Sequence, residues 1–396
     1  IVLDAALETF LGACYKGLRR AAFQAHQRRS CWFTDMDLPA EVEPAALWMI
    51  PSLESDGRRW RFRARVLQEV LFVSEAVSRA AAGRDLGLPG FNEAIRDPWW
   101  GHVIALLVAA EPTTVSAVMY TATEPGTLLL DRPLSGYGAD LTQLLVRMCP
   151  DLRTLVAHGV RFRPGTLGKL LSGVQFNTGL TTLVFVHNWL GSAAAGSIAE
   201  VVTAHPALKS LSICHNNIGS KGVQHLMDVI RSCKKLQHLD LADTNLGDVG
   251  VRVIAGQAAA CKHLRTLGLR GNPVSSSGAD AFGLVVQKTP SLREVDFSHC
   301  ALGEIGVCCL TGMLREARLI SINIGDNQVR ARGVQQLCEA LKIVDSVRRL
   351  GLQGNGLTDV MVRPITGVFK VNRTLEAVNL SWNELTDGAC KAILAA

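Results

Sequence analysis

Apolar residues return at a fixed period over most of the chain. Leu208 to Leu226 reads LKSLSICHNNIGSKGVQHL, which reduces to L-x-x-L-x-L-x-x-N-x-L-G-x-x-G-x-x-x-L with Ile213 and Ile218 in leucine slots. The leading apolar position recurs at Leu152, Leu180, Leu208, Leu236, Leu264, Leu292, Leu319, Val347 and Leu375, in steps of 28 residues with a single step of 27. Such a period belongs to an array of stacked units, here nine, none of which can bury its apolar face alone.

Within one unit two shorter periods follow each other. Leu211 and Ile213, or Leu239 and Leu241, alternate with exposed positions, as in a short strand with one buried face. Beyond the glycine, Val223, Leu226 and Ile230 fall at spacings of three and four, one stripe of an amphipathic helix. Between the two an asparagine recurs at Asn188, Asn216, Asn272, Asn327, Asn355 and Asn383, with Thr244 and Cys300 as substitutes. An amide that both donates and accepts suits the bridging of adjacent backbones where the strand bends out of the sheet. The column therefore reads as structural, with Cys300 as a weak buried donor.

This motif set resembles the leucine-rich repeat superfamily, in particular its ribonuclease-inhibitor-like class with a full helix on the outer face. The likeness rests on the period, on Leu190-Gly191, Leu246-Gly247 and Leu302-Gly303, and on the helix glycines Gly222, Gly250, Gly278, Gly306 and Gly333. It covers about residues 151–396, with Ala194, Met361 and Ala389 in the helix-glycine slot and Thr358 and Thr386 in the slot of the earlier glycine. The implied fold is α/β: a leucine-rich repeat solenoid, a horseshoe with its parallel sheet inside and helices outside, with an α-helical N-terminal region. The expected division is 1–123 for that region, capping the solenoid, 124–150 for a degenerate opening repeat, and 151–396 for the nine repeats.

Residues 1–123 carry no repeat. Helical spacing runs from Asp4 to Ala25, a short helix is expected at Ala45 to Ile50, a long one from about Asp56 to Ala82, and one from Trp100 to Ala109 opened by Asp97-Pro98. Leu128 and Leu130 suggest a strand, and Leu141, Leu144 and Leu145 a helix ended by Pro150. A hydrophobic share of 48% against 19% charged marks a core-rich folded chain, and a net charge of +6 over 396 residues is too mild to demand nucleic acid or an anionic membrane. No apolar run approaches the length of a membrane span. The eleven cysteines show no CxxC and no paired zinc spacing, as expected of reduced thiols in a reducing compartment. The N-terminus opens IVLDAALETF, without a secretory pattern or an initiator methionine. The expected place is the cytoplasm, with an organelle left open.

The exposed strand positions form the concave face of such a horseshoe. Partner-binding candidates there are Ser212, Asp240, Asp296, Asn323 and Asn379 in one row, Arg270 and Gln353 in the next, and His215, Asp243, His299, Asp326 and Trp382 in a third. Small polar rows offer no deep pocket and suit the close approach of a partner protein. His187, His215 and Asp243 share a row in three successive coils and carry zinc-ligand chemistry. Stacked strands hold such side chains side by side rather than converging, so no metal and no cofactor is expected. Arg58, Arg59, Arg61, Arg63 and Arg65 interleave with Trp60 and Phe62. On a helix they make a solvated basic face, a surface for an acidic partner, or a grip on a phosphate backbone. No Ser-His-Asp or Cys-His arrangement and no phosphate-cradling loop is present, and no enzymatic activity is expected.

Three relatives of the repeat class frame the function that the resemblance implies. Ribonuclease inhibitor binds through a charged, aromatic-rich concave face, which this chain lacks. Ran GTPase activators use an arginine and an asparagine on edge loops, and Arg161 and Arg163 sit on such a loop here. Non-catalytic subunits of large assemblies, those of the axonemal nexin-dynein regulatory complex among them, fit best by class. The expectation is a non-catalytic scaffold binding other proteins of a multi-subunit cytoskeletal or axonemal complex, in the cytoplasm or the cytoskeleton of a cilium or flagellum. The alternatives are a protein subunit of a ribonucleoprotein, such as a divergent organellar ribosome, and a Ran-type GTPase-activating protein.

Overall fold

The computed structural model describes residues 15–30, 32–33, 53–55, 60–62, 65–82, 100–110, 126–205, 207–232, 235–257, 260, 262–275, 278–314 and 317–396. The chain divides into two compact units: residues 1–129, 134–152 and 172–177 form one, and residues 130–133, 153–171 and 178–396 the other.

The first unit packs helix α1 (Tyr15–Gln27) on α2 (Arg65–Ala81), with α3 (Gly101–Ala110) against α2. Phe23 stacks on Phe72 with ring centroids 4.7 Å apart, and the buried His26 ring lies 4.9 Å from both Phe72 and Trp100. Arg19 meets Glu75 at 2.9 Å across the same two helices. The helix expected from about Asp56 to Ala82 begins instead at Arg65. Ahead of it, β3 (Trp60–Phe62) pairs antiparallel with both β1 (Trp32–Phe33) and β2 (Leu53–Ser55). The reason lies in the alternation Arg-Trp-Arg-Phe-Arg, which is the period of a strand built on β-favouring aromatics as well as a helical spacing of arginines. The first helix is described from Tyr15; residues 4–14, the expected helix at Ala45 to Ile50 and the Asp97-Pro98 pair lie outside the described residues.

Ten strands lie in chain order in one parallel sheet. They are β4 (Thr127–Leu130), β5 (Thr154–His158), β6 (Thr182–Val186), β7 (Ser210–Ser212), β8 (His238–Asp240), β9 (Thr266–Gly268), β10 (Glu294–Asp296), β11 (Ser321–Asn323), β12 (Arg349–Gly351) and β13 (Ala377–Asn379). Helices alternate with them, from α4 (Gly136–Met148), α5 (Thr166–Phe176), α6 (Ser192–Ala204) and α7 (Gly219–Ser232) onward. The register aligns Leu155, Leu183, Leu211, Leu239, Leu267, Val295, Ile322, Leu350 and Val378 in one column. All but the last are buried, and each buried leucine contributes about 2 kcal/mol of transfer free energy. Val223 and Leu226 of α7 are buried beneath the same sheet, as the 3.6-residue stripe requires.

The asparagine column joins one coil to the next. Asn216 Oδ1 accepts from the backbone N–H of Asn188 (2.9 Å) and Leu190 (3.1 Å), one coil earlier, and its Nδ2 donates to the carbonyl of Phe185 (3.0 Å). Asn272 does the same for Thr244, Leu246 and Leu241, Asn327 for Cys300, Leu302 and Phe297, and Asn355 for Asn327, Val329 and Ile324. Where Cys300 replaces the amide, its thiol donates to the Leu269 carbonyl at 3.2 Å. These amides are at most 2% exposed, so each partner it satisfies would otherwise be a buried orphan. Asn272→Leu is expected to cost about 3 kcal/mol in chemical denaturation followed by circular dichroism, from orphaned N–H and C=O groups. Asn383→Leu, in the half-exposed final column position, is expected to cost under about 1 kcal/mol because water replaces the amide; equal losses would contradict the bridging role.

Candidate partner-binding site

The strand face of the repeat unit carries the polar rows at one residue per coil. Ser212, Asp240, Gly268, Asp296, Asn323, Gly351 and Asn379 stand in register. Their side chains bond to one another and to the strand ends. Ser212 Oγ donates to Asp240 Oδ2 at 3.0 Å, Ser298 Oγ donates to Asp296 Oδ1 at 2.6 Å, Gln353 Nε2 donates to Asn323 Oδ1 at 3.0 Å, and Ser381 Oγ donates to Asn379 Oδ1 at 2.7 Å. Gly268 leaves the room that the Asp240 carboxylate occupies, since a Cβ there would come within 2.6 Å of Asp240 Oδ1. Arg270, one row over, is exposed. An open groove of ≈ 460 Å³ runs along these rows, lined by Asp240, Glu294, Asp296 and Asn323 among others. An ion pair missed in the sequence, Arg349 to Glu294 at 2.7 Å, joins β12 to β10 past the intervening strand β11.

The third row has a backbone cause. His187, His215, Asp243, Gly271, His299, Asp326, Gly354 and Trp382 all adopt positive φ, between 53° and 68°. Apart from glycine, this left-handed region is tolerated best by Asn, Asp and His, which accounts for the row's composition without a ligand. Trp382 breaks that rule at φ 59° and is 89% exposed. The row also contains a repeated triplet. His215 Nδ1 lies 3.3 Å from Asp243 Oδ2 and His299 Nε2 3.1 Å from Asp326 Oδ2, and each carboxylate leans over the glycine of the following coil, Gly271 or Gly354, where a Cβ would collide with it.

Nearer the first coils two imidazoles of this row meet His158, which stands in register with Val186 one row over. The His187 and His215 rings stack with centroids 4.2 Å apart and planes 17° apart, and His158 meets His187 edge-on at 5.7 Å. Among the described residues no group of three or more His, Cys, Asp or Glu side chains is placed to hold a metal ion. Beside the rings, Trp189 is 63% exposed, and the Arg161 guanidinium lies 4.2 Å over its indole. An open hollow of ≈ 680 Å³ is lined there by His187, Trp189, His215, Asn217, Asp243 and Asn245. Its sequence signal is Trp189, in the column where neighbouring coils carry Asn217 and Asn245.

The described part of the arginine run is divided between a strand and a helix. Arg61 is exposed on β3 and Arg65 is the first residue of α2, whereas Arg58, Arg59 and Arg63 lie outside the described residues. Among the described thiols, burial pushes those of Cys300 and Cys338 up to about 12 and raises that of Cys214, which removes them as nucleophiles near neutrality. No described helix is long and apolar enough to cross a membrane.

Loss of hydration within the stack lowers the pKa of His187 below the ordinary imidazole value, helped by the neighbouring His215 and His158 and opposed by Asp243. His187 therefore favours the folded state above the ordinary value, and that contribution falls away as acid protonates it. In a proton NMR titration its ring is expected to protonate below ordinary imidazoles, and His215→Ala is expected to move it back upward. A titration unmoved by that substitution would contradict the stack's role.

Comparison with known proteins supports the same repeat. The family profile described as "Leucine Rich repeat" matches residues 205–227, 232–255, 260–283 and 371–394. The "NACHT, LRR and PYD domains-containing protein 3" of Rattus norvegicus is 31% identical over 140 residues, covering 28% of this chain and 14% of that protein. "Ribonuclease inhibitor" of Mus musculus is 30% identical over 123 residues, covering 30% of this chain and 26% of the inhibitor. The matches thus span about a quarter or less of these relatives. Among solved structures, the tropomodulin C-terminal domain of Caenorhabditis elegans aligns with a TM-score of 0.32 at 16% identity, over 37% of this chain and 91% of that one. The strand–asparagine–helix coils of the second unit are leucine-rich repeats, similar to those of ribonuclease inhibitor.

Proposed function

We propose that this chain is a non-catalytic scaffold that holds a partner protein on the strand face of its repeat unit. The observation that carries the reading is that the polar rows are already fixed: Asp240 by Ser212, Asp296 by Ser298, Asp243 by His215 and Asp326 by His299. Side chains ordered before binding lose less entropy on docking. Trp382, exposed at the far end of the rows, adds the type of residue that anchors interfaces. The setting we propose is a multi-subunit cytoskeletal or axonemal assembly in the cytoplasm, carried by the class resemblance of the sequence. The ribonucleoprotein alternative rests on the arginine run, whose Arg61 and Arg65 belong to different elements. For a Ran-type activator, Arg161 would have to leave the Trp189 ring that it covers.

Tagged full-length chain recovered from its native cells tests this reading. Asp240→Arg with Asp296→Arg is expected to cut partner recovery at least about tenfold, roughly 1.4 kcal/mol, with unchanged circular dichroism and no sensitivity to nuclease. Undiminished recovery by the double variant would sink it.

A further inference from the structure

The residues just ahead of the strands form a row of their own. Lys209 N donates to the Thr181 carbonyl (2.8 Å), Gln237 N to Lys209 (2.8 Å), Arg265 N to Gln237 (2.7 Å), Arg293 N to Arg265 (2.8 Å), Ile320 N to Arg293 (2.7 Å), Arg348 N to Ile320 (2.9 Å) and Glu376 N to Arg348 (2.8 Å). This backbone ladder spaces the side chains by one strand, about 4.8 Å. Four of them are cationic, and Lys235, Lys262, Arg318 and Arg373 stand three or four residues before strands β8, β9, β11 and β13. Lys209, Lys235, Lys262, Arg265 and Arg318 are exposed and take part in none of the ion pairs among the described residues. From Lys209 onward, the acidic residues among the described residues of this edge are Asp345 and Glu376, and Glu376 is held by Arg348 at 2.6 Å. The strand face has the opposite balance, with Asp240, Asp243, Glu294, Asp296 and Asp326 against Arg270 and Arg349.

We propose that this basic edge is a second docking surface, separate from the strand face, and that it takes an acidic α-helix of a partner protein. A helix with Asp or Glu at i and i+4 presents carboxylates about 6.0 Å apart along its axis, against row positions about 4.8 Å apart. Over the four coil steps from Lys209 to Arg318 the mismatch reaches about 4.8 Å, within the swing of Lys and Arg side chains. The span of about 19 Å corresponds to a helix of roughly 13 residues. The Arg348–Glu376 pair shows that a cation of this row closes on a carboxylate. Single-stranded nucleic acid binds through aromatic platforms beside its cations, whereas the row itself runs Lys209, Gln237, Arg265, Arg293, Ile320, Arg348 without an aromatic.

Fluorescence anisotropy with the full chain distinguishes the partners. The probes are a labelled Ala-rich helical peptide with Glu at i and i+4, a peptide of the same composition with the Glu scattered around the helix, duplex RNA, and phosphatidylserine vesicles. The ordered peptide is expected to bind in a salt-sensitive manner and more tightly than the other three. The combined substitution Lys209→Glu, Lys235→Glu, Lys262→Glu, Arg265→Glu and Arg318→Glu is expected to weaken it at least about tenfold, with Lys209→Gln, Lys235→Gln, Lys262→Gln, Arg265→Gln and Arg318→Gln giving a smaller loss in the same direction should charge reversal disturb folding. Equal or tighter binding of the scattered peptide, the RNA or the vesicles would overturn the proposal, as would peptide binding unchanged in both variants.

Discussion

The buried amide between coils is the interaction on which the repeat unit depends. Each bend where a strand leaves the sheet exposes two backbone N–H groups and a carbonyl that no ladder bond reaches. The asparagine of the next coil satisfies all three from inside the core, as Asn216 does for Asn188, Leu190 and Phe185. An unmade bond there is worth more than the bond itself, because the orphaned groups are out of water. The leucine columns supply most of the driving force for stacking, but they would tolerate sliding. The amide sets the register, since it fits only when one coil lies a fixed step from the next. Cys300 shows how far the constraint bends: its thiol keeps the carbonyl contact to Leu269, and its own N–H is served by Asn327.

With the fold secured from beneath, the strand face is free to carry other chemistry, within limits set by the backbone. The third row must adopt positive φ, so it draws on His, Asp and Gly, and the pairs His215–Asp243 and His299–Asp326 with their following glycines are one local solution used twice. Trp382 accepts the same backbone at a cost of about 1–3 kcal/mol while staying almost fully exposed. Charge divides along the same geometry: carboxylates gather over the strands and cations at the strand-leading edge, so two partners of different charge can be met without competing for one surface.

The repeat was legible because its signal is redundant. A wrong residue at one position, such as Thr244 or Cys300 in the asparagine column, is outvoted by its equivalents in other coils. Trp60 to Phe62 had no such support; three residues that satisfy both the strand and the helix period are decided by pairing with Trp32–Phe33 and Leu53–Ser55, which is non-local. The strand-face rows could be written down from the period, but not their cause, since φ is not read from side-chain identity. The basic edge is hidden for a related reason: its members lie about 28 residues apart along the chain and become neighbours only through the ladder.

The most direct test of the account is a hydrogen-exchange footprint of the intact chain, free and in complex with the partner it captures. The account predicts new protection at the strand face and its row of positive φ, in residues 210–215, 238–243 and 294–299, with the outer helices unchanged. Protection confined to residues 15–110, or to the outer helices α6 and α7, would contradict the strand face as the place where that partner is held.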